Sequence, residues 1–334
     1  MYRIKNKVRN LLFQNMTDKQ IGDFYKLYFR VFYPNEVEKK KSYGVLNSDK
    51  TFYLIRPRQD GIEGLMSLFG TVITKIYYAR EKGYIPVVDF KNYNTQLLDA
   101  QLPNTNAWCY YFTQPSQYPL KEVYRSKNVV LSGTDLTKWY RIDFFDNPYN
   151  PINQKKAYDF IFSNIDFSKK VKDELKLEEK RLNIDYKETV GIYMRGTDYM
   201  RLKPMGHAIQ PTLEQVIEVI DTNIKPDKKL YLVTEDGKFY KGLKERYRDR
   251  LLVSSFDKFI YSYSENDYLS KSNSLGEISN SPYKRNLNYL LKLLILSKCE
   301  SFIGGKTRGS SAAHIFSNGN YNFDYVFDLG LYGK

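Results

Sequence analysis

The sequence predicts an α/β protein built from two doubly wound, parallel-sheet domains that share a cleft, and three observations carry that prediction. The chain has 334 residues, more than a single domain usually holds. Short apolar, β-prone runs alternate with helical stretches in both halves, and strands separated by helices require right-handed crossovers and hence parallel sheets. Several of these runs also break abruptly into Arg, Gly, Ser or Thr, the residue types found where an open sheet meets a ligand.

Each element has its own signal. Residues 1–50 open with Arg3, Lys5, Lys7 and Arg9 opposite Ile4, Val8, Leu11 and Leu12, a basic amphipathic helix. Thr51 to Arg56 is an apolar strand, Asp60-Gly61-Ile62-Glu63-Gly64 a turn, residues 65–82 a helix and Ile85 to Phe90 a buried strand, together a βαβ unit. Asn128 to Gly133 adds a strand, whereas the Asn, Gln, Pro and Tyr-rich residues 91–126 read as irregular and suited to an acceptor site. Residues 166–187, dominated by Lys and Glu, read as a charged helix and linker. The expected organisation is therefore a basic segment over 1–50, an acceptor-side domain over 51–170 and a ligand-binding domain over 188–334. In that last part the alternation restarts, with strands at 189–195, 229–234, 251–254, 301–304 and 325–329 and helices at 212–222, 237–248, 285–299 and 309–317.

Composition narrows the function. Hydrophobic residues make up 42% and aromatics 16% of the chain, with 31 Tyr, so it is globular rather than disordered. Two distant cysteines, Cys109 and Cys299, suggest neither a disulfide framework nor a zinc site and fit a reducing cytoplasm. No apolar run approaches the roughly 20 residues of a spanning helix, and the N-terminus lacks a signal-peptide core. A net charge of +14 calls for an anionic partner: nucleic acid, a phosphorylated substrate or an anionic membrane face. No helix-turn-helix, zinc finger or RNP-like run supports nucleic acid. A cytoplasmic protein, peripheral on the inner membrane face through its first residues, is the expected setting.

Three strand ends carry the candidate chemistry. The first, Val190 to Asp198, runs from a buried strand into Arg195-Gly196-Thr197-Asp198. An Arg at a strand end beside a Gly that admits close backbone approach suits a two-pronged grip on a pyrophosphate, although Asp198 can also simply neutralise Arg195. The second, Leu232 to Gly237, presents Thr234, Glu235 and Asp236 to a ribose or base, or serves as the N-cap of the next helix. The third, Phe302 to Ala313, feeds Lys306, Thr307, Arg308, Ser310 and Ser311 into a helix N-terminus, where free N–H groups and the dipole attract an anion. Its spacing is not that of a Walker loop. No Asp-x-Asp pair occurs, so cationic side chains rather than a bridging metal are expected to face the diphosphate. Of the two histidines, His207 follows Arg195 on a loop and His314 reads as structural.

In order along the chain, these motifs resemble the fucosyltransferase superfamily of GT-B fold, whose members include α1,2-, α1,6- and protein O-fucosyltransferases. Residues 189–198 are similar to its first motif, with Arg195 matching the arginine that binds the donor diphosphate. Tyr193 stands where His is usual, and Gly196 where many members have a second Arg. Residues 229–248, 287–313 and 60–83 are similar to further segments, the last to a Gly-rich loop with Glu63 in the place of a base. Lys292 lies near the position of an acid that reads guanine in some members. The resemblance implies two Rossmann-like domains and an inverting, metal-independent transfer of fucose from GDP-fucose, or of another sugar from its nucleotide carrier. The acceptor is expected to be an oligosaccharide or lipid-linked glycan in surface-polysaccharide assembly, with no cofactor. Arg195, Asp198, Thr234, Asp236, Lys306, Thr307, Arg308, Ser310 and Ser311 would hold the donor. Glu63 would act as base, with Asp60 and His207 as rivals. A sulfo- or phosphoryl transferase, or a basic nucleic-acid binder, is the competing expectation.

Overall fold

The computed structural model describes residues 36–58, 63–133, 142–263, 268–269 and 279–333, with single positions between 16 and 31. The predicted basic helix at the N-terminus, and Asp60, Gly61 and Ile62 of the predicted turn, lie outside the described residues.

Two compact units divide the chain, each assembled from separate segments. The first comprises residues 1–60, 71–89 and 115–141. Its sheet contains β1 (Lys39–Lys41) and β2 (Phe52–Ile55). Beyond α1 (Leu65–Glu81) come β3 (Ile85–Val88), α2 (Leu120–Val123) and β4 (Val129–Leu131), and the strand order is β1-β4-β2-β3. β2 runs parallel to β3 and β4, while β1 pairs antiparallel with β4. All four residues of β2 are buried, as expected of a parallel strand covered on both faces. Val72, Ile73, Ile76 and Ala79 of α1 are also fully buried. β1 consists of three lysines, and a charged edge strand discourages pairing with another chain. Its composition carries no β signal, which is why sequence reading passes over it.

The second unit comprises residues 61–70, 90–114 and 142–334, so the first turn and a half of α1 belongs here. Three helices come first: α3 (Asp143–Asp146), α4 (Pro151–Asn164) and α5 (Lys169–Leu182). Sequence reading places 142–170 in the first domain and a linker after it. In the structure these residues join the second unit, because α5 buries Val171 and Glu178 and is an integral helix rather than a tether. Then follow β5 (Thr189–Tyr193), α6 (Thr197–Leu202), α7 (Leu213–Asn223), β6 (Lys229–Val233), α8 (Gly237–Tyr247) and β7 (Leu251–Leu252). The last elements are α9 (Pro282–Lys298), β8 (Ser301–Gly305), α10 (Arg308–Ser317) and β9 (Phe323–Phe327).

Five strands form a wholly parallel sheet in the order β7-β6-β5-β8-β9. The chain therefore winds outward from β5 in both directions, and the order reverses between β5 and β8, the place where such sheets hold ligands. Val190, Ile192, Leu230, Leu232 and Ile303 build the core beneath it. The predicted strands and helices of this half appear within about three residues of their expected bounds, the usual scatter of element ends. The short helix α6, directly after Arg195, is an addition. It begins with Thr197 at φ 44°, so the chain turns sharply where β5 ends.

Candidate functional site

At the carboxyl ends of β5, β6 and β8, and wholly within the second unit, lies a cavity of about 320 Å³. That is the lower end of the range for ligand sites. Arg195 stands two residues beyond β5 and keeps 23% of its side chain exposed, and it lines this cavity. Its Nη2 donates to both oxygens of the buried Asp198 at 2.9 and 3.0 Å, and its Nη1 lies 3.3 Å from Glu235 Oε1. Asp198 also accepts from the Tyr199 and Leu269 amides at 3.0 and 2.9 Å. Thr197 Oγ1 donates to Glu235 at 3.0 Å, and the Tyr199 ring lies under the guanidinium with its centroid 5.0 Å away. Burial opposes the charge on Arg195, but Glu235 and Asp198 outweigh it and hold the pKa above the ordinary arginine value. The guanidinium is thus a fixed cation whose plane is set before any ligand arrives.

Asp236, expected to contact a ligand, instead braces this turn. Its Oδ2 accepts from the Thr197 amide at 3.0 Å, and its Oδ1 caps α8 through the Lys238 and Phe239 amides. Gly196 is required there, since a Cβ would meet Asp236 at 2.3 to 2.7 Å. Thr234, at the end of β6, lines the cavity and is 2% exposed.

The turn after β8 divides the expected phosphate binders. Thr307 and Arg308 line the cavity together with Gly309. Thr307 caps α10 with a capping box whose other member is Ser310. Ser310 is fully buried and donates to the Gly305 carbonyl at 2.7 Å, and Ser311 donates to the Thr307 carbonyl at 2.7 Å. Lys306 is ion-paired with Asp328 at 2.7 Å. Lys306, Ser310 and Ser311 are therefore not among the cavity-lining residues, because capping and an ion pair engage them elsewhere. Of the first amides of α10, that of Ser310 donates to Thr307 Oγ1 at 3.1 Å, while those of Arg308 and Gly309 have no acceptor within the helix.

Neither histidine lines the cavity. His207 is exposed and lies behind Tyr199, with Nδ1 3.1 Å from the phenol oxygen. Burial of one side of its ring, then Arg308, lowers its pKa below the usual value. His314 is buried between the Ser310 carbonyl and Asp324, 2.7 and 2.9 Å from its two ring nitrogens. Glu63 precedes the lining stretch Gly64 to Ser67, and its Oε1 accepts from the Ser67 hydroxyl at 3.1 Å.

Several lining residues are not among those that the sequence singles out to hold the donor. Tyr193 and Tyr289 place their hydroxyls 3.3 Å apart, and both press on Gly309, where an added Cβ would meet them at 2.4 and 2.3 Å. Burial raises the pKa of both phenols, so they remain neutral donors. Lys292 pairs with Asp257 at 2.6 Å. The loop that carries Asp257 is pinned by the buried Glu178 of α5, which accepts from both the amide and the hydroxyl of Ser255 at 2.7 Å. Arg285 enters from the first turn of α9. Altogether the lining holds Arg195, Arg308, Arg285, Lys258 and Lys292 against Asp198, Glu235 and Asp257, so the cavity is net positive. Among the described residues no cluster of three or more His, Cys, Asp or Glu side chains is arranged to hold a metal ion.

No family model and no curated protein matches the chain. Among solved structures it is similar to NodZ α1,6-fucosyltransferase soaked with GDP-fucose, at 12% identity, 85% of this chain, 98% of that chain and a TM-score of 0.47. It is also similar to selenomethionine NodZ from Bradyrhizobium, at 13% identity, 85% and 97% coverage and a TM-score of 0.47. A third is a variant of FUT1 from Arabidopsis thaliana in complex with GDP, at 9% identity, 83% and 70% coverage and a TM-score of 0.44. These are fucosyltransferases, as is the superfamily that the sequence motifs resemble.

Proposed function

We propose that the protein is an inverting, metal-independent glycosyltransferase that moves fucose from GDP-fucose to a hydroxyl of an oligosaccharide or lipid-linked glycan in surface-polysaccharide assembly. The observation that carries this reading is the net-positive cavity at the switch point of the parallel sheet, where a preset guanidinium and a helix N-terminus converge. Arg195, Arg308, Thr307 and the first amides of α10 hold the diphosphate, and Thr234 and Asp198 support the nucleoside end and the arginine. In the transfer the acceptor oxygen bonds to the anomeric carbon while the bond to the β-phosphate oxygen breaks. The acceptor proton passes to Glu63, and the charge gained by the departing diphosphate is met by Arg195 and Arg308. His207 supports Tyr199 beneath Arg195.

A thermal-shift panel of GDP, UDP, ADP and CDP tests the donor. At 100 times its dissociation constant the preferred nucleotide adds about 2.7 kcal/mol of stability. GDP is expected to lead, transfer is expected to persist in EDTA, and stabilisation by none of the four would overturn the reading. The basic first 13 residues fit an anionic membrane surface, with four cations opposite four apolar side chains. Flotation with vesicles rich in phosphatidylglycerol should be lost on their removal; undiminished flotation would refute a membrane role for that segment.

A further inference from the structure

Helix α9 measures out the cavity. Arg285, Tyr289 and Lys292 are spaced by four and three residues and share one helix face, spanning about 10 Å at 1.5 Å per residue. Each has different company. Lys292 pairs with Asp257 beside the strand ends of β6 and β7. Tyr289, in the middle, meets Tyr193 and Gly309 at the N-terminus of α10. Arg285 lies a turn further on, next to the start of α9, where Asp99 accepts from the Ser281 hydroxyl and the Tyr283 amide. That contact brings the segment of Gln96, another lining residue, to the same end.

If the phosphates lie at Gly309 and the nucleoside toward Thr234 and Lys292, the end at Arg285 receives the transferred sugar and its acceptor. Arg285 Nη1 donates to the Ser279 carbonyl at 2.7 Å, and among the described residues no carboxylate lies within ion-pair distance of its guanidinium. Burial pushes its pKa below the usual arginine value, with Tyr111 and Asp99 offsetting this in part. A partly desolvated cation that touches no carboxylate among the described residues gains strongly when a ligand supplies one in direct contact.

We propose that Arg285 recognises an anionic group, a carboxylate or a phosphate, on the acceptor glycan. This rests on the glycosyltransferase reading and names the chemistry of its second substrate. The planar fork of the guanidinium suits either anion bidentately, which a neutral hydroxyl cannot match.

The test is titration of the full chain, saturated with GDP, with glucuronate, glucose 6-phosphate and glucose, followed by NMR saturation transfer. At least one charged sugar should bind tenfold or more tightly than glucose, and which of the two leads separates a carboxylate from a phosphate as the recognised group. Arg285→Gln should abolish that preference while leaving GDP affinity within about twofold, whereas Arg308→Gln should weaken GDP. Equal binding of all three sugars, no binding of any, or loss of GDP affinity in Arg285→Gln overturns the proposal. Failure of GDP itself to bind counts instead against the glycosyltransferase reading.

Discussion

Both sheets end in polar residues at the carboxyl edges of parallel strands, yet these residues behave in opposite ways. In the first unit Lys75 is fully buried and donates to the Arg56 carbonyl at 2.9 Å. Arg56 in turn donates to the Ser132 carbonyl at 2.9 and 2.6 Å, and Tyr124 donates to the buried Asp89 at 2.6 Å. These groups close on one another. In the second unit the corresponding edge leaves Arg195, Thr234 and Thr307 on an open cavity, and the carboxylates that brace Arg195 sit on one side of it. The same architecture thus carries a hydrogen-bonded edge in one unit and, in the other, the cavity proposed to take the ligand.

Substitutions can break this contrast. Arg195→Lys should have the largest effect. A point charge cannot reproduce the planar fork, and loss of about 10³-fold in kcat/KM is expected with the melting temperature nearly unchanged. Near-normal turnover would return Arg195 to the role of a mere partner for Asp198. Glu63→Gln keeps size and polarity but removes the basic oxygen, so kcat should fall at least about 100-fold with GDP affinity preserved. A matched loss of GDP affinity would reject Glu63 as the base and leave Asp60 and His207. Lys75→Met is the smallest effect and the opposite kind. It should lower stability by about 1–3 kcal/mol in urea unfolding and leave GDP affinity untouched. A change in nucleotide affinity there would show that the first edge also handles ligand.

Much of the fold was legible because fully covered strands leave long apolar runs. The four residues of β2 and the five of β5 announce themselves in this way. Helical periodicity starts α9 three residues late, at 285, because its N-cap Ser281 and its first residue Pro282 lie before the first periodic apolar position. What stayed hidden depends on contacts distant in sequence. Asp99 meets Ser281 across 182 positions, and nothing local reveals that residues 90–114 belong with the second sheet. The site divides similarly. Arg195, Thr234, Thr307 and Arg308 were readable because they follow strands, whereas Arg285, Tyr289 and Asp257 reach the cavity only through the placement of α9 and the loop pinned by Glu178. Ser310 and Ser311 do not line the cavity, because a helix N-terminus wants hydroxyls for its own backbone as well as for an anion.

The alternation of segments between the two units has a consequence for how the molecule is made. The chain passes from one unit to the other at residues 60, 70, 89, 114 and 141. During synthesis, pieces of the second unit therefore emerge early and must wait for β5 to β9 before their partners exist. Closing such long intervals carries an entropic cost that local helices do not meet, which favours slow, late consolidation of the second unit. A fragment beginning at residue 188 would lack α4, α5 and the segment holding Asp99. The second unit is thus a spatial domain but not a heritable module that recombination could move as one stretch of gene.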